Sequence, residues 1–251
     1  MTASVSAPII AVRRAVGTAA LAAWLDASLQ GGASPDDVAD AAAAVGMGAL
    51  RIDGQQRTLL EGLARLRSDG LRGVRLVLPA PGDVSGLPGP PALNRRLLQE
   101  GSALIITGAE PGAGVVLLPC GDDVFAATPS DLPQAVVASW VGLRVARADF
   151  AAAVAAHSRE LANLDVAGDV HGLREQVLGE DEQPLPLLPP AFPAERRELL
   201  GRARLVAILA ATAADDTGRA VSAAEATSRS GHLRALAGVA RRALGAAVST
   251  A

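Results

Sequence analysis

Thirteen residues, Pro79–Pro91, contain five prolines and three glycines, and an apolar run flanks them on each side. Proline fixes φ and removes a backbone donor, so this stretch is neither helix nor interior strand but a stiff, extended, solvent-facing loop. On its N-terminal side Val74, Leu76 and Leu78 alternate with Arg75 and Val77, the pattern of a mostly buried strand over 74–79. On its C-terminal side a helix over 91–99 starts on proline and stops at Gly101. Ala103–Ile106 then begins a second apolar strand, 103–107. A strand–helix–strand unit of this length predicts a right-handed crossover with 74–79 and 103–107 adjacent and parallel.

Around that unit the chain reads as helical. Residues 11–30 are apolar around most of a helix and are stopped by Gly31-Gly32. Ser34-Pro35-Asp36-Asp37 is a helix start, with Ser34 as N-cap and the acids at the positive end of the dipole. Residues 49–53 suit a short edge strand. Residues 55–69 suit an amphipathic helix whose buried stripe is Leu59, Leu60, Leu63 and Leu66. Beyond the central unit, 115–118 predicts a third strand antiparallel to 103–107, and 124–127 a short pairing segment. Residues 136–145 are ambiguous between helix and strand; the alternation of Val141, Leu143 and Val145 favours strand. The last hundred residues predict helices from Asp149, from Asp169, over 194–214 and from the Ser222–Glu225 capping box, with a Pro-rich connector at 179–193. The expected fold is a single α+β domain over 1–251. A 9–70 helical lead-in precedes a 71–146 sheet core of four or five strands, a small mixed sheet covered by helices, and 147–248 forms a helical half.

Composition excludes more than it suggests. The chain is 50% hydrophobic, enough for a real core. It has no lysine, so a Walker A lysine, a Schiff base and a kinase-type lysine are ruled out. Aromatic residues are 2% and the net charge is −3, which argues against a nucleic-acid partner. Cys120 is the one cysteine, which suits a reducing, cytoplasmic setting. Arg13-Arg14 before an apolar run resembles an export signal, but Asp26 interrupts it and no clean cleavage site follows. The apolar runs read as too short to cross a membrane.

The segments RLVLPAPGDVSGLPGPPALN (75–94), AVSAAEA (220–226) and ARRAL (240–244) resemble a family of uncharacterised alanine-rich proteins from high-GC bacteria. That family has no assigned activity, so the resemblance implies no catalytic residue and no cofactor.

Candidate chemistry is sparse. With parallel strands, the loop 80–94 would lie at a sheet edge where open α/β sheets bind ligands, and Asp83, Asn94, Thr107 and Glu110 would converge there. Turn and helix-end chemistry accounts for Asp83 and Asn94 equally well. Arg229, His232, Arg234, Arg241 and Arg242 form a basic face on the last helix, suited to an acidic partner or to plain solvation. Cys120 lacks a local nucleophile signature, and Asp165, Asp169 and His171 lack the spacing of a metal site, so no metal and no cofactor are expected. The leading expectation is a non-enzymatic protein acting through contact with a protein partner or a second copy of itself. The alternative is a small-molecule-binding protein or enzyme using the crevice at 80–94.

Overall fold

Ala103–Ile106 has almost no exposed surface at any of its four residues. Successive strand residues face opposite ways, so this strand is covered on both sides. The computed structural model describes residues 7–44, 46–84, 86–108, 112–120, 124–163, 188–215 and 223–249. In it the strands are β1 (Ala49–Ile52), β2 (Gln55–Thr58), β3 (Leu71–Val77), β4 (Ala103–Gly108), β5 (Ala113–Pro119) and β6 (Val124–Asp131). The helices are α1 (Ala7–Leu29), α2 (Pro35–Ala43), α3 (Leu59–Ser68), α4 (Pro91–Glu100), α5 (Gln134–Ala138), α6 (Leu143–Asn163), α7 (Ala194–Asp215) and α8 (Ala223–Val248).

The fold is α+β with a helical C-terminal half, as expected, but the mixed sheet has six strands rather than four or five, in the order β2-β1-β6-β5-β4-β3. The extra strand is β2. Asp53 and Gly54 both take positive φ, 52° and 76°, and turn β1 back on β2 as a hairpin. Residues 55–58 are therefore strand, and α3 starts only at Leu59, capped by Thr58.

β3 and β4 are adjacent, as predicted, but antiparallel, with Val77 opposite Ala103 and Leu71 opposite Gly108. The connection thus leaves and re-enters at one end of the sheet. A ten-residue α4 spans only about 15 Å. The segment before α4 is not the extended, solvent-facing loop expected: Ala80 and Asp83 pair across a tight turn, and Pro79, Leu87 and Pro88 are buried. Only β1 and β6 run parallel. β4, β5 and β6 form an antiparallel meander.

Residues 136–145 are not strand. Leu143, Ala146, Phe150 and Val154 fall at helical spacing and pack inward, while Val145 is 50% exposed. The alternating residues do not share a helix face, since Val141 precedes α6 and Val145 is exposed, and the longer pattern at three- and four-residue spacing prevails. Asp149 lies inside α6 rather than at its start.

One face of the sheet packs on a layer that includes α1, α2, α3, α7 and α8, through Leu21, Leu50, Val74, Leu104, Leu200 and Leu244 among others. The other face is covered by α4, Leu87 and Leu132 over Ile105, Val116 and Leu118. α1 is long and apolar enough to cross a membrane by length and composition, contrary to the reading of its apolar run as too short. Here most of that surface is buried in protein, with Leu21 and Leu25 inaccessible, while Ile10 near its start is exposed.

The helix starts carry a pH dependence. Ser34 with Asp37, and Thr58 with Glu61, form reciprocal capping boxes. Hydrogen bonds from the Ser34 side chain and backbone lower the Asp37 pKa; those from the Thr58 backbone and side chain lower that of Glu61. A depressed folded-state pKa contributes stability above the ordinary carboxylate range, and that stability is lost as pH falls through the folded value. Wild type should therefore lose stability on acidification below about pH 4. A Ser34→Ala, Thr58→Ala double variant should lose less, as denaturant titrations at pH 7 and pH 3 would show. Equal losses would mean the caps do not titrate with folding.

Candidate functional site

The last helix presents small and cationic residues to a common side at three- and four-residue spacing: Ala226, Arg229, Leu233, Ala237, Arg241 and Leu244. Opposite it stand Ala207, Ala210, Ala211 and Ala214 of α7 and Ala11, Val12 and Ala15 of α1. Leu78–Pro81, leaving β3, and Leu98 near the end of α4 complete the walls. Together they enclose a cleft of about 690 Å³. Alanines dominate the facing walls, and side chains this short do not fill the space between them. Among the described residues the charged groups on its walls are Arg229, Arg234 and Arg241.

Three of the four arginines predicted as a basic face therefore line this cleft rather than a flat surface. Arg229 donates to the Ala213 carbonyl at 2.7 Å, tying α8 to the end of α7. The fourth, Arg242, donates to Asp83 Oδ2 at 3.2 Å.

A second, smaller cavity of about 90 Å³ adjoins the first and shares Leu78 and Arg241 with it. Its walls include Arg75, Asp83, Gly86, Trp140, Arg241 and Arg242. The Arg75 guanidinium lies 4.1 Å from the centroid of the Trp140 ring. Burial pushes the Arg75 pKa down to about 10. Burial also lowers that of Arg241, with neighbouring Arg242 adding to the effect and Asp83 opposing it. Trp140 Nε1 and Arg241 Nε are both buried and make no hydrogen bond among the described residues.

The predicted crevice set is not assembled. Antiparallel pairing sends Thr107 to the far end of β4, where its hydroxyl donates to the Gly73 carbonyl at 3.4 Å. Asn94 Oδ1 accepts from the Gly89 amide at 2.9 Å and so organises the loop. Glu110 lies outside the described residues. Asp83 faces a cavity whose walls include Arg75 and Trp140, which sequence reasoning did not select. One signal was present: Arg75 is a charge inside the apolar run 74–78.

Cys120 is half-buried just past the end of β5. His157 and His232 bring their Nδ1 atoms within 3.0 Å of each other, between α6 and α8. Among the described residues no group of three or more His, Cys, Asp or Glu could hold a metal ion. Asp165, Asp169, His171 and Ser222 lie outside the described residues.

No curated protein and no solved structure matches the chain. Residues 18–152 match the Rv1486c-like protein N-terminal domain, and residues 144–245 match the Rv1486c-like protein C-terminal domain. The first match covers β1–β6 and most of α1; the second covers α7 and most of α8, so the walls of both cavities draw on the two matched regions. The chain belongs to the uncharacterised family of Rv1486c-like proteins.

Proposed function

We propose that this protein binds an apolar small molecule in the cleft between α1, α7 and α8. The observation that carries the reading is the cleft itself: about 690 Å³, walled mainly by Ala, Val, Leu and Pro, with arginines as its charged groups. That volume lies within the range of about 300–1,000 Å³ typical of small-molecule sites, and an apolar lining with a few placed polar groups is their usual chemistry. The reading takes the small-molecule alternative over protein contact. Ile10, Leu60, Val84, Val137 and Val145 are the exposed large apolar residues among those described, and they are spread over five segments of chain. The cleft gathers its apolar surface in one place.

The test uses a neutral apolar dye, Nile red, whose emission rises on leaving water. Wild type should bind it saturably. Ala237→Trp puts a large ring on the cleft wall and should weaken binding at least ~10-fold, the scale of about 1.4 kcal/mol. Thermal unfolding should stay close to wild type, because the ring enters open space rather than packed core. Unchanged dye binding in that variant would rule the cleft out.

A further inference from the structure

We propose that the small cavity between β3, Trp140 and α8 is an anion site, and that it takes the phosphate monoester head of a ligand whose apolar tail lies in the large cleft. The choice of tail rests on the cleft reading; the anion site stands on its own geometry.

Four observations converge on the head group. First, charge: among the described residues the cavity walls carry Arg75, Arg241 and Arg242 against Asp83, three cations to one anion. Asp83 is already paired with Arg242 at 3.2 Å. The excess of two positive charges matches a phosphate monoester, which carries about −1.5 to −2 near neutral pH, better than a carboxylate. Second, donors: Trp140 Nε1 and Arg241 Nε are buried N–H groups without an acceptor among the described residues. Indole and guanidinium nitrogens can only donate, so a ligand that satisfies them must bring acceptors. Third, space: a cavity of about 90 Å³ exceeds several-fold the ~10–15 Å³ that one water requires, and suits one compact oxyanion rather than a sugar or a base. Fourth, access to the indole: a side chain at Gly86 would place its Cβ 3.6 Å from Trp140 Nε1, and Gly86 has φ +79°. Glycine at that position leaves room beside the N–H.

Position then links head to tail. Arg241 lines both cavities, and so does Leu78. A ligand with its phosphate beside Arg75, Trp140 and Arg241 can extend past Leu78 into the alanine-walled cleft. Burial of Arg75, without a carboxylate partner among the described residues, is compensated in the bound state by the phosphate and in the free state in part by the Trp140 ring.

The experiment compares inorganic phosphate, octyl phosphate and octanol by calorimetric titration on wild type, Arg75→Gln and Trp140→Phe. Octyl phosphate should bind wild type at least ~10-fold more tightly than octanol, and inorganic phosphate should bind detectably and quench or shift tryptophan emission. Both variants should weaken octyl phosphate at least ~10-fold and leave octanol unchanged. Trp140→Phe keeps an aromatic ring under Arg75 and removes only the N–H donor, so it separates loss of the site from loss of folding. Equal affinity for octyl phosphate and octanol in wild type would overturn the anion site while leaving the cleft intact. Phosphate binding lost in both variants, with no binding of octanol or Nile red, would keep the anion site and reject the apolar tail.

Discussion

Truncating Leu104 to alanine should destabilise the protein by about 2–5 kcal/mol, and truncating its neighbour Ile105 should cost as much. The two side chains leave β4 on opposite faces, and each is fully inaccessible. Leu104 packs with the helical layer, alongside Leu21, Val74 and Leu244. Ile105 packs with Leu97 of α4, Val116, Leu118 and Leu132. Each deletion removes a buried branched chain and leaves a cavity that close-packed neighbours refill only in part. The paired measurement tests the architecture, because a sheet covered on one face would make one of the two substitutions cheap. Urea unfolding with an unchanged m-value is the readout. A cost below about 1 kcal/mol for Ile105→Ala would show that α4 and the Pro/Gly loop do not bury the second face.

β4 was legible in the sequence for the same reason that it is buried on both faces. A short β-branched run bounded by Gly101 and Gly108 has few alternatives to a buried strand. Helix starts at Ser34 and the stop at Gly101 were legible because caps act through local chemistry. The direction of β4 against β3 was not. Strand–helix–strand spacing fits a parallel crossover, and nothing local to the two strands tells that arrangement from the antiparallel pair that forms. Asp53-Gly54 was a hairpin signal in plain view, overlooked because the polar segment 55–58 shows no apolar alternation and reads as the first turn of the helix over 55–69.

The site was legible in fragments. Arg229, Arg234 and Arg241 were readable as one helix face, but whether that face meets solvent or a concavity depends on the helix opposite. That helix contributes alanines, which look alike whether they close a seam or line a void. Asp83 was picked out for its place in a turn, and its partner Arg242 is 159 residues away. Arg75 and Trp140 meet from separate segments, and no local pattern in either one announces the other.

Gly62→Leu should destabilise the protein by about 1–3 kcal/mol or more through overpacking, and Leu50→Ala should partly rescue it. The sequence suggests a buried α3 stripe of Leu59, Leu60, Leu63 and Leu66. In the structure the helix is rotated: Leu59, Gly62 and Leu66 are buried, and Leu60 is 39% exposed. Gly62 is thus the point where α3 meets β1. A Cβ there would stand 2.6 Å from Leu50 Cδ1 and 2.8 Å from Leu50 Cβ. A methyl at the end of a side chain can rotate away; a Cβ moves only with its strand. Leucine is the better helix former by up to about 1 kcal/mol, which offsets part of the cost and makes the single variant alone an incomplete test. The double-mutant cycle resolves it. Leu50→Ala alone should cost about 2–5 kcal/mol, as for any fully buried leucine. With Gly62→Leu present the new side chain enters the space that Leu50 vacates, so the two costs should fall short of additivity by about 0.5–3 kcal/mol. Strict additivity in chemical denaturation would mean that Gly62 does not press on Leu50 and that α3 seats on the sheet in some other rotation.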